Sequence, residues 1–196
     1  NSETEDAAQV SSIDAFSMSS AIRSVVASPD GKKLAILRAT TKNGDYIIEI
    51  RDPNNLDAEP VRLGADKMLI SSIVWLNDEK LGVMFRQILE DGSRKYWVNK
   101  FAITDADGKG DWLLPFKKKR NVQFNIINIL PDKKDEVLVE VDINNNYIPD
   151  VVRFNINTGR SVTVMRGNEK VSGSFVSDYD GEIRIAQGWN KSDNAI

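Results

Sequence analysis

Histidine and cysteine are both absent from the 196 residues of this chain. Without histidine, the chain alone cannot supply the base of a Ser-His-Asp or Cys-His catalytic centre. Zinc sites with nitrogen and sulfur ligands are excluded as well, as are disulfide bonds. The lack of cysteine fits both the cytosol and the bacterial periplasm, and it does not distinguish them.

The chain also lacks a basic excess and a long apolar segment. Its formal net charge is −3, whereas proteins that bind nucleic acids normally carry an excess of lysine and arginine. No apolar run approaches the length that a membrane-spanning helix requires. We therefore expect neither a nucleic-acid partner nor a membrane partner, and the sequence indicates no cofactor.

The first residues, 1–20, are mostly polar, and we interpret them as an irregular lead-in. Residues 1–6 are acidic and lack the basic start and apolar core of a signal peptide. Such a beginning fits the mature end of a processed protein and fits an artificially shortened chain equally well. A weak helical periodicity runs from Ser12 to Ser24.

Four aspartates mark a hairpin turn that recurs along the chain, Asp30, Asp78, Asp132 and Asp180, at spacings of 48, 54 and 48 residues. The first copy, at 28–31, reads Ser-Pro-Asp-Gly and lies between two strand-like runs. A period of about 50 residues is typical of a β-propeller blade, which is one small antiparallel sheet. A plain β-sandwich would also show short strands, but it would not explain the repeat.

We therefore predict an all-β fold in which residues 21–196 form a partial propeller of about three and a half four-stranded antiparallel blades. The blades are predicted at about 21–66, 67–116, 120–167 and 171–196. Apolar alternation and turn residues predict these strands: Ile22–Ala27, Lys32–Ala39, Asp45–Arg51, Val61–Leu63, Leu69–Trp75, Lys80–Gln87, Lys95–Ile103, Trp112–Leu114, Phe124–Leu130, Glu136–Asp142, Pro149–Ile156, Ser161–Met165, Gly173–Ser177 and Glu182–Ala186.

Individual strands and turns carry more detailed predictions. Asn43-Gly44 is a strong hairpin turn. In the third blade the alternation of Val137, Val139 and Val141 predicts a strand with one buried face. An open arc leaves a sheet edge uncovered, so we expect that edge to pair with another copy of the chain or to fray.

Three segments resemble blades of the prolyl oligopeptidase family of serine peptidases, which includes dipeptidyl and acylaminoacyl peptidases. Residues 21–35 read AIRSVVASPDGKKLA and are similar to the first blade of that family. Residues 73–81 read IVWLNDEKL and resemble its second blade, and residues 175–186 read FVSDYDGEIRIA and resemble a later one. The resemblance covers about residues 13–190, although periplasmic propellers of the TolB type also contain Ser-Pro-Asp-Gly hairpins.

The resemblance implies a propeller that caps an α/β-hydrolase domain, admits short peptides and excludes folded proteins. The Gly-x-Ser-x-Gly nucleophile elbow, the acid and the histidine lie in that domain, usually after the propeller. This chain contains no Gly-x-Ser-x-Gly, so we expect no catalytic residue in it. The implied partners are a C-terminal hydrolase domain and a peptide substrate, in the periplasm or outside the cell. The alternative is a TolB-like periplasmic module for protein interactions.

Arg184 is the candidate substrate-binding residue, because a guanidinium suits a peptide carboxylate or carbonyl. The structural alternative, which we favour, is an ion pair with Asp178 or Asp180 of its own turn. Trp75, Trp97, Trp112 and Trp189 are expected to lie between blades rather than against a ligand.

Three further segments have a structural interpretation. Asp105–Asp111 and Asp142–Asn146 resemble the start of calcium loops. Both lack the glutamate that an EF-hand needs at its twelfth position, so we interpret them as turns, the second with asparagines in left-handed conformations. The basic run Lys117–Arg120 is predicted to be an exposed loop rather than a patch for nucleic acid or anionic lipid.

Overall fold

A computed structural model of the chain describes residues 21–41, 45–65, 68–119, 121–144 and 146–188. These residues contain thirteen β-strands and no helix, which confirms the predicted all-β class. The strands form four antiparallel sheets, and within each sheet the spatial order of the strands is their order along the chain. Every strand therefore pairs with its immediate neighbours in sequence.

Each sheet is numbered in chain order. Sheet 1 comprises β1 (Ile22–Ala27), β2 (Leu34–Ala39), β3 (Tyr46–Arg51) and β4 (Val61–Leu63). Sheet 2 comprises β5 (Leu69–Trp75), β6 (Lys80–Asp91) and β7 (Arg94–Asp105). Sheet 3 comprises β8 (Phe124–Asn128), β9 (Glu136–Val141), β10 (Asp150–Asn155) and β11 (Ser161–Met165). Sheet 4 comprises β12 (Gly173–Ser177) and β13 (Ile183–Gln187).

The sheets pack face to face in the same order. Sheets 1 and 2 share an apolar core that includes Leu37 and Phe85. Sheets 2 and 3 share a second core around Phe101 and Phe154, and sheets 3 and 4 share a third that includes Phe175. Sheets 2 and 3 thus bury both of their faces, since each contributes to two cores.

The predicted bounds match the observed ones for five strands, β1, β4, β5, β11 and β12. The largest difference is the β6–β7 hairpin, which continues to the pairs Leu89↔Tyr96 and Asp91↔Arg94, well past the end of β5. Two strands joined by a tight turn continue to pair without a third. The predicted strand 112–114 is wrong, because in it only Leu113 forms an isolated bridge, to Ile103.

The prediction of one buried face for β9 is also wrong. Val139 faces the core shared with sheet 2, but Leu138, on the opposite face, is buried in the core shared with sheet 4. The neighbouring sheets cover both faces of the strand, so buried side chains occur on both faces. The predicted turn at 43–44 lies outside the described residues, as does most of the weak helical segment at 12–24. The part of that segment that the structure describes, from residue 21 onward, leads into β1.

The tryptophans occupy different environments. The buried Trp75 on β5 donates from Nε1 to the carbonyl oxygen of Val26 on β1 at 3.0 Å, which links sheets 1 and 2. Trp112 packs against Phe85 of the same core, with ring centroids 5.4 Å apart. Trp97 was expected between sheets, but it is 46% exposed on the projecting β6–β7 hairpin. Trp189 lies outside the described residues.

We expect Trp75→Phe to lower the free energy of unfolding by about 2 kcal/mol, because it removes an inter-sheet donor and leaves a small void. Trp97→Phe is the matched control, and we expect it to change stability by no more than about 0.5 kcal/mol. Urea unfolding followed by circular dichroism measures both. Equal losses in the two variants would contradict the role of Trp75 as the link between sheets.

Candidate functional site: the turn cluster

The turn between β1 and β2 is closed by its own side chains. Ser28 Oγ donates to Asp30 Oδ1 at 2.7 Å, and the Lys32 N–H donates to the same oxygen at 3.0 Å. Gly31 has a φ of 70°, which glycine adopts without the steric cost of a side chain. The hydrogen bond from Ser28, followed by that from the Lys32 N–H, holds the pKa of Asp30 below its ordinary value.

Asparagines close the next two turns in a similar manner. Asn77 Oδ1 accepts the N–H groups of Glu79 and Lys80 at 2.9 and 2.8 Å. Asn128 Oδ1 accepts the Leu130 N–H at 2.7 Å. Each side chain satisfies backbone donors that the turn leaves without a strand partner.

Hydrogen bonds also join the turns of neighbouring sheets. The Asp30 N–H donates to Asp78 Oδ1 at 2.9 Å, and Lys33 Nζ donates to the Asp78 carbonyl oxygen at 2.8 Å. Asn77 Nδ2 then donates to the Lys134 carbonyl oxygen of sheet 3 at 2.9 Å. The turns of the first three sheets therefore lie side by side at one end of the strands.

The turns of sheets 3 and 4 are joined in the same way. Asn128 Nδ2 donates to Ser177 Oγ at 3.0 Å and to the Asp178 carbonyl oxygen at 2.8 Å. We call residues 28–33, 76–80, 128–134 and 177–182 the turn cluster. Two of its side chains, Asn77 and Asn128, act twice, because the oxygen closes a turn and the nitrogen reaches the next sheet.

A cavity of about 350 Å³ opens in the turn cluster, among the turns of sheets 1, 2 and 3. Leu76, Ile129 and Leu130 form apolar walls, and Asp30 and Asp78 supply carboxylates. Leu130 has a φ of 48°, a left-handed conformation that costs a residue with a side chain about 1–2 kcal/mol. The volume lies at the lower end of the range for small-molecule sites.

Arg184 lies beside the turn of sheet 4 and pairs with Asp178. Its Nε and Nη2 atoms lie 2.7 and 2.5 Å from Asp178 Oδ2, which is the in-turn pairing that the sequence predicts. The Glu182 N–H and then Arg184 hold the pKa of Asp178 below its ordinary value. A substrate-binding role for Arg184 stays a prediction.

A second cavity, of about 280 Å³, lies at the strand ends remote from the turn cluster. Asn99, Asn125 and Glu140 line it beside the ring of Phe124. Partial burial raises the pKa of Glu140, and this effect outweighs the hydrogen bonds from Asn125 and from the Phe175 N–H. The sequence did not reveal this site, because Glu140 lies on the face of β9 that was not predicted to be buried.

The acidic loop at Asp105–Asp111 uses its carboxylates locally. Asp105 Oδ1 lies 2.5 Å from Lys80 Nζ, and Asp107 Oδ1 accepts the Lys109 N–H at 3.0 Å. Within the described ranges, no group of three or more acidic side chains is arranged to hold a metal ion.

The second loop with a calcium-like sequence is also closed by its own carboxylate. The two oxygens of Asp142 accept the N–H groups of Asn146 at 3.2 Å and Tyr147 at 2.9 Å. The sequence predicted left-handed asparagines here, but the described left-handed residue is Tyr147, with a φ of 64°. Asn145 lies outside the described residues.

The basic run after sheet 2 is described as far as Lys119. Lys117 and Lys118 are exposed, which agrees with the predicted loop. Lys119 Nζ donates to the carbonyl oxygen of Ile143, so this side chain joins two loops.

Glu49 on β3 is an almost completely buried carboxylate, 3% exposed, surrounded by arginines. Its oxygens lie 2.9 Å from Arg51 Nη2, 3.3 Å from Arg38 Nη1 and 3.5 Å from Arg62 Nε. Burial raises the pKa of Glu49, but the hydrogen bond from Arg51 and the charges of all three arginines outweigh it and hold that pKa below its ordinary value. The alternation of residues along β3 does not reveal that β2, β3 and β4 each supply an arginine to this carboxylate.

No family model matches this chain, and no curated protein matches its sequence. In the part of the chain that the structure describes, no helix has the length and apolar character needed to cross a membrane.

We expect the raised pKa of Glu140 to make stability depend on pH. The unfolded chain ionises first, near the ordinary value of 4.5, so stability falls as pH rises from there to the raised pKa and is constant beyond it. Glu140→Gln removes this loss, so the advantage of the variant grows with pH across the same window. Urea unfolding at a series of pH values from about 4 to 8 measures the difference. An advantage that does not change with pH would show that Glu140 is not desolvated in the fold.

Proposed function

We propose that this chain is the propeller portion of a prolyl oligopeptidase-like serine peptidase, which gates and positions peptide substrates for an α/β-hydrolase domain. The observation that carries the proposal is the recurrence of inter-sheet contacts at the repeat spacing. The Asp30 N–H donates a hydrogen bond to a residue 48 positions further along the chain. The Val26 carbonyl oxygen accepts one from a residue 49 positions further along, and Asn128 donates one to a residue 50 positions further along. Equivalent positions of successive sheets meet, as they do in blades arranged about an axis.

The proposed role is non-catalytic. The chain has neither a histidine nor a Gly-x-Ser-x-Gly segment, so the proposal assigns the nucleophile, acid and base to the hydrolase domain. Such a protein would act in the periplasm or outside the cell.

The gating part of the proposal is supported by the size and position of two of the cavities in the described residues. One lies among the turns and the other at the opposite strand ends, and their volumes of about 350 and 280 Å³ suit a few side chains of an extended peptide. A folded protein does not fit into spaces of this size. The hydrogen bonds between the turns would keep the cavity in the turn cluster rigid, because each turn is bonded to the turn of the next sheet.

We expect the product of the complete reading frame containing this chain to react with a fluorophosphonate probe and to cleave short peptides. The 196-residue chain alone should do neither, since it has no histidine to activate a serine. Mass spectrometry locates the modified serine, and its replacement by alanine should reduce cleavage by at least about a thousandfold. A complete product that consists of further blades and reacts with no probe would support the TolB-like interaction module instead.

Sheet 4 has an edge that no other described strand covers, and this edge suggests how the isolated chain behaves in solution. Within the described residues β13 pairs only with β12, and its Ile185 is 62% exposed. An uncovered strand edge with apolar side chains is a template for pairing with another chain. We propose that copies of the isolated chain associate through this edge.

We expect light scattering on the isolated chain to show an average mass that rises with concentration. Ile185→Lys should return the chain to a monomer, because a lysine on an edge strand disfavours pairing. Leu56→Lys, at an exposed loop position, is the control and should leave association unchanged. A parent chain that stays monomeric with a well-protected β13 in hydrogen exchange would overturn this proposal.

A further inference from the structure

Sheet 1 differs from sheets 2 and 3 in packing through only one face within the described residues. The other face, here called the outer face of sheet 1, is crossed by the paired residues Val25, Ile36, Glu49 and Arg62, one from each strand in order. The row is apolar on β1 and β2 and charged on β3 and β4. Val25 is 52% exposed, so the apolar part is open to solvent.

The charged part of the outer face is built around Glu49. Arg51 turns inward, with 18% of its side chain exposed, and donates two hydrogen bonds to Glu49 from Nε and Nη2. Arg38 and Arg62 are 54% and 50% exposed and touch Glu49 from the solvent side. Glu49 therefore fixes two half-exposed guanidinium groups on the same face.

These two guanidinium groups keep donors for a further partner. A guanidinium has five N–H donors, and Arg38 uses one of them on Glu49 at 3.3 Å. Three arginines face two carboxylates, Glu49 and the exposed Glu59, so the cluster carries a net positive charge on a chain whose formal net charge is −3. Burial of an ion cluster contributes little to stability compared with apolar packing, and a role in specificity is the better-supported reason to retain one.

We propose that the outer face of sheet 1 docks a carboxylate-bearing protein surface of the same parent protein. The partner surface would set carboxylates against Arg38 and Arg62, which bind them with planar, paired hydrogen bonds, and apolar side chains against Val25 and Ile36. This inference rests on the proposed function, in which the partner is the blade that closes the ring. The net positive charge of the arginine cluster favours a partner surface with carboxylates over an apolar face like those that join the other sheets.

The interface that closes the ring would then differ chemically from the interfaces between sheets 1, 2 and 3. The cores between sheets 1, 2 and 3 are apolar, whereas the interface that closes the ring would depend partly on ion pairs, which salt weakens. The interface that closes the ring would therefore dissociate at a lower ionic strength than the apolar interfaces between sheets 1, 2 and 3.

A thiol at Val25 tests the proposal in the product of the complete reading frame, because this chain contributes no native cysteine. We expect Val25→Cys to react with a maleimide at least about tenfold more slowly than Val162→Cys, a control on β11 that is 61% exposed. Adding R38Q and R62Q to Val25→Cys should restore fast labelling, and high salt should act in the same direction. Mass spectrometry identifies the labelled position.

Two results would overturn the inference. Labelling of Val25→Cys as fast as that of Val162→Cys would show that nothing covers the outer face. Slow labelling that R38Q with R62Q leaves unchanged would show a covered face that does not depend on carboxylates. Both results are independent of the fluorophosphonate assay, which tests the proposed function on its own.

Discussion

The packing of each sheet against the face of the next is the constraint on which the rest of the structure depends. A two-stranded sheet such as sheet 4 is at best marginally stable alone, and the larger sheets are stabilised when their apolar faces are covered. Here every sheet shares a core with its neighbour, and sheets 2 and 3 each take part in two cores. The strands owe their burial to sheets that lie tens of residues away in sequence, so the sheets are expected to form together rather than one by one.

The turn cluster is a consequence of this stacking. When equivalent strands of successive sheets lie side by side, the turns that end them meet as well, and each turn brings unpaired backbone groups. Asn77 and Asn128 satisfy such groups with the side-chain oxygen and reach the neighbouring sheet with the side-chain nitrogen. An amide side chain suits this double task because it has both an acceptor and donors.

Much of the fold was predictable from the sequence because its determinants are local. Alternating apolar residues and turn residues such as those at 28–31 predicted the strands, and a tight turn specifies its own hairpin. The environment of each face was not predictable in this way. Leu138 and Glu49 lie on faces that alternation assigns to the solvent side, yet a neighbouring sheet covers Leu138 and three arginines cover Glu49.

The candidate site shows the same division between local and distant effects. The pairing of Arg184 with Asp178 involves residues of one hairpin, and the sequence predicted it. The third turn was marked by Asp132, but Asn128 is the residue that closes it and reaches sheet 4. An amide can donate to the next sheet and an ionised carboxylate cannot, but the sequence of the turn does not show where that sheet lies, so it did not single out Asn128.

The two ends of the stack also differ chemically, which limits how copies of the chain can meet. Sheet 4 presents the exposed apolar pair Val176 and Ile185, whereas sheet 1 presents the arginines around Glu49. Stacking one end face to face on the other would bury the half-exposed guanidinium groups against apolar side chains that offer no hydrogen-bond acceptor, which is costly. Were both ends apolar, head-to-tail stacking would continue without limit. A charged outer face on sheet 1 therefore disfavours such stacking, and the proposed partner surface with carboxylates would suit that face better than the apolar end of sheet 4 does.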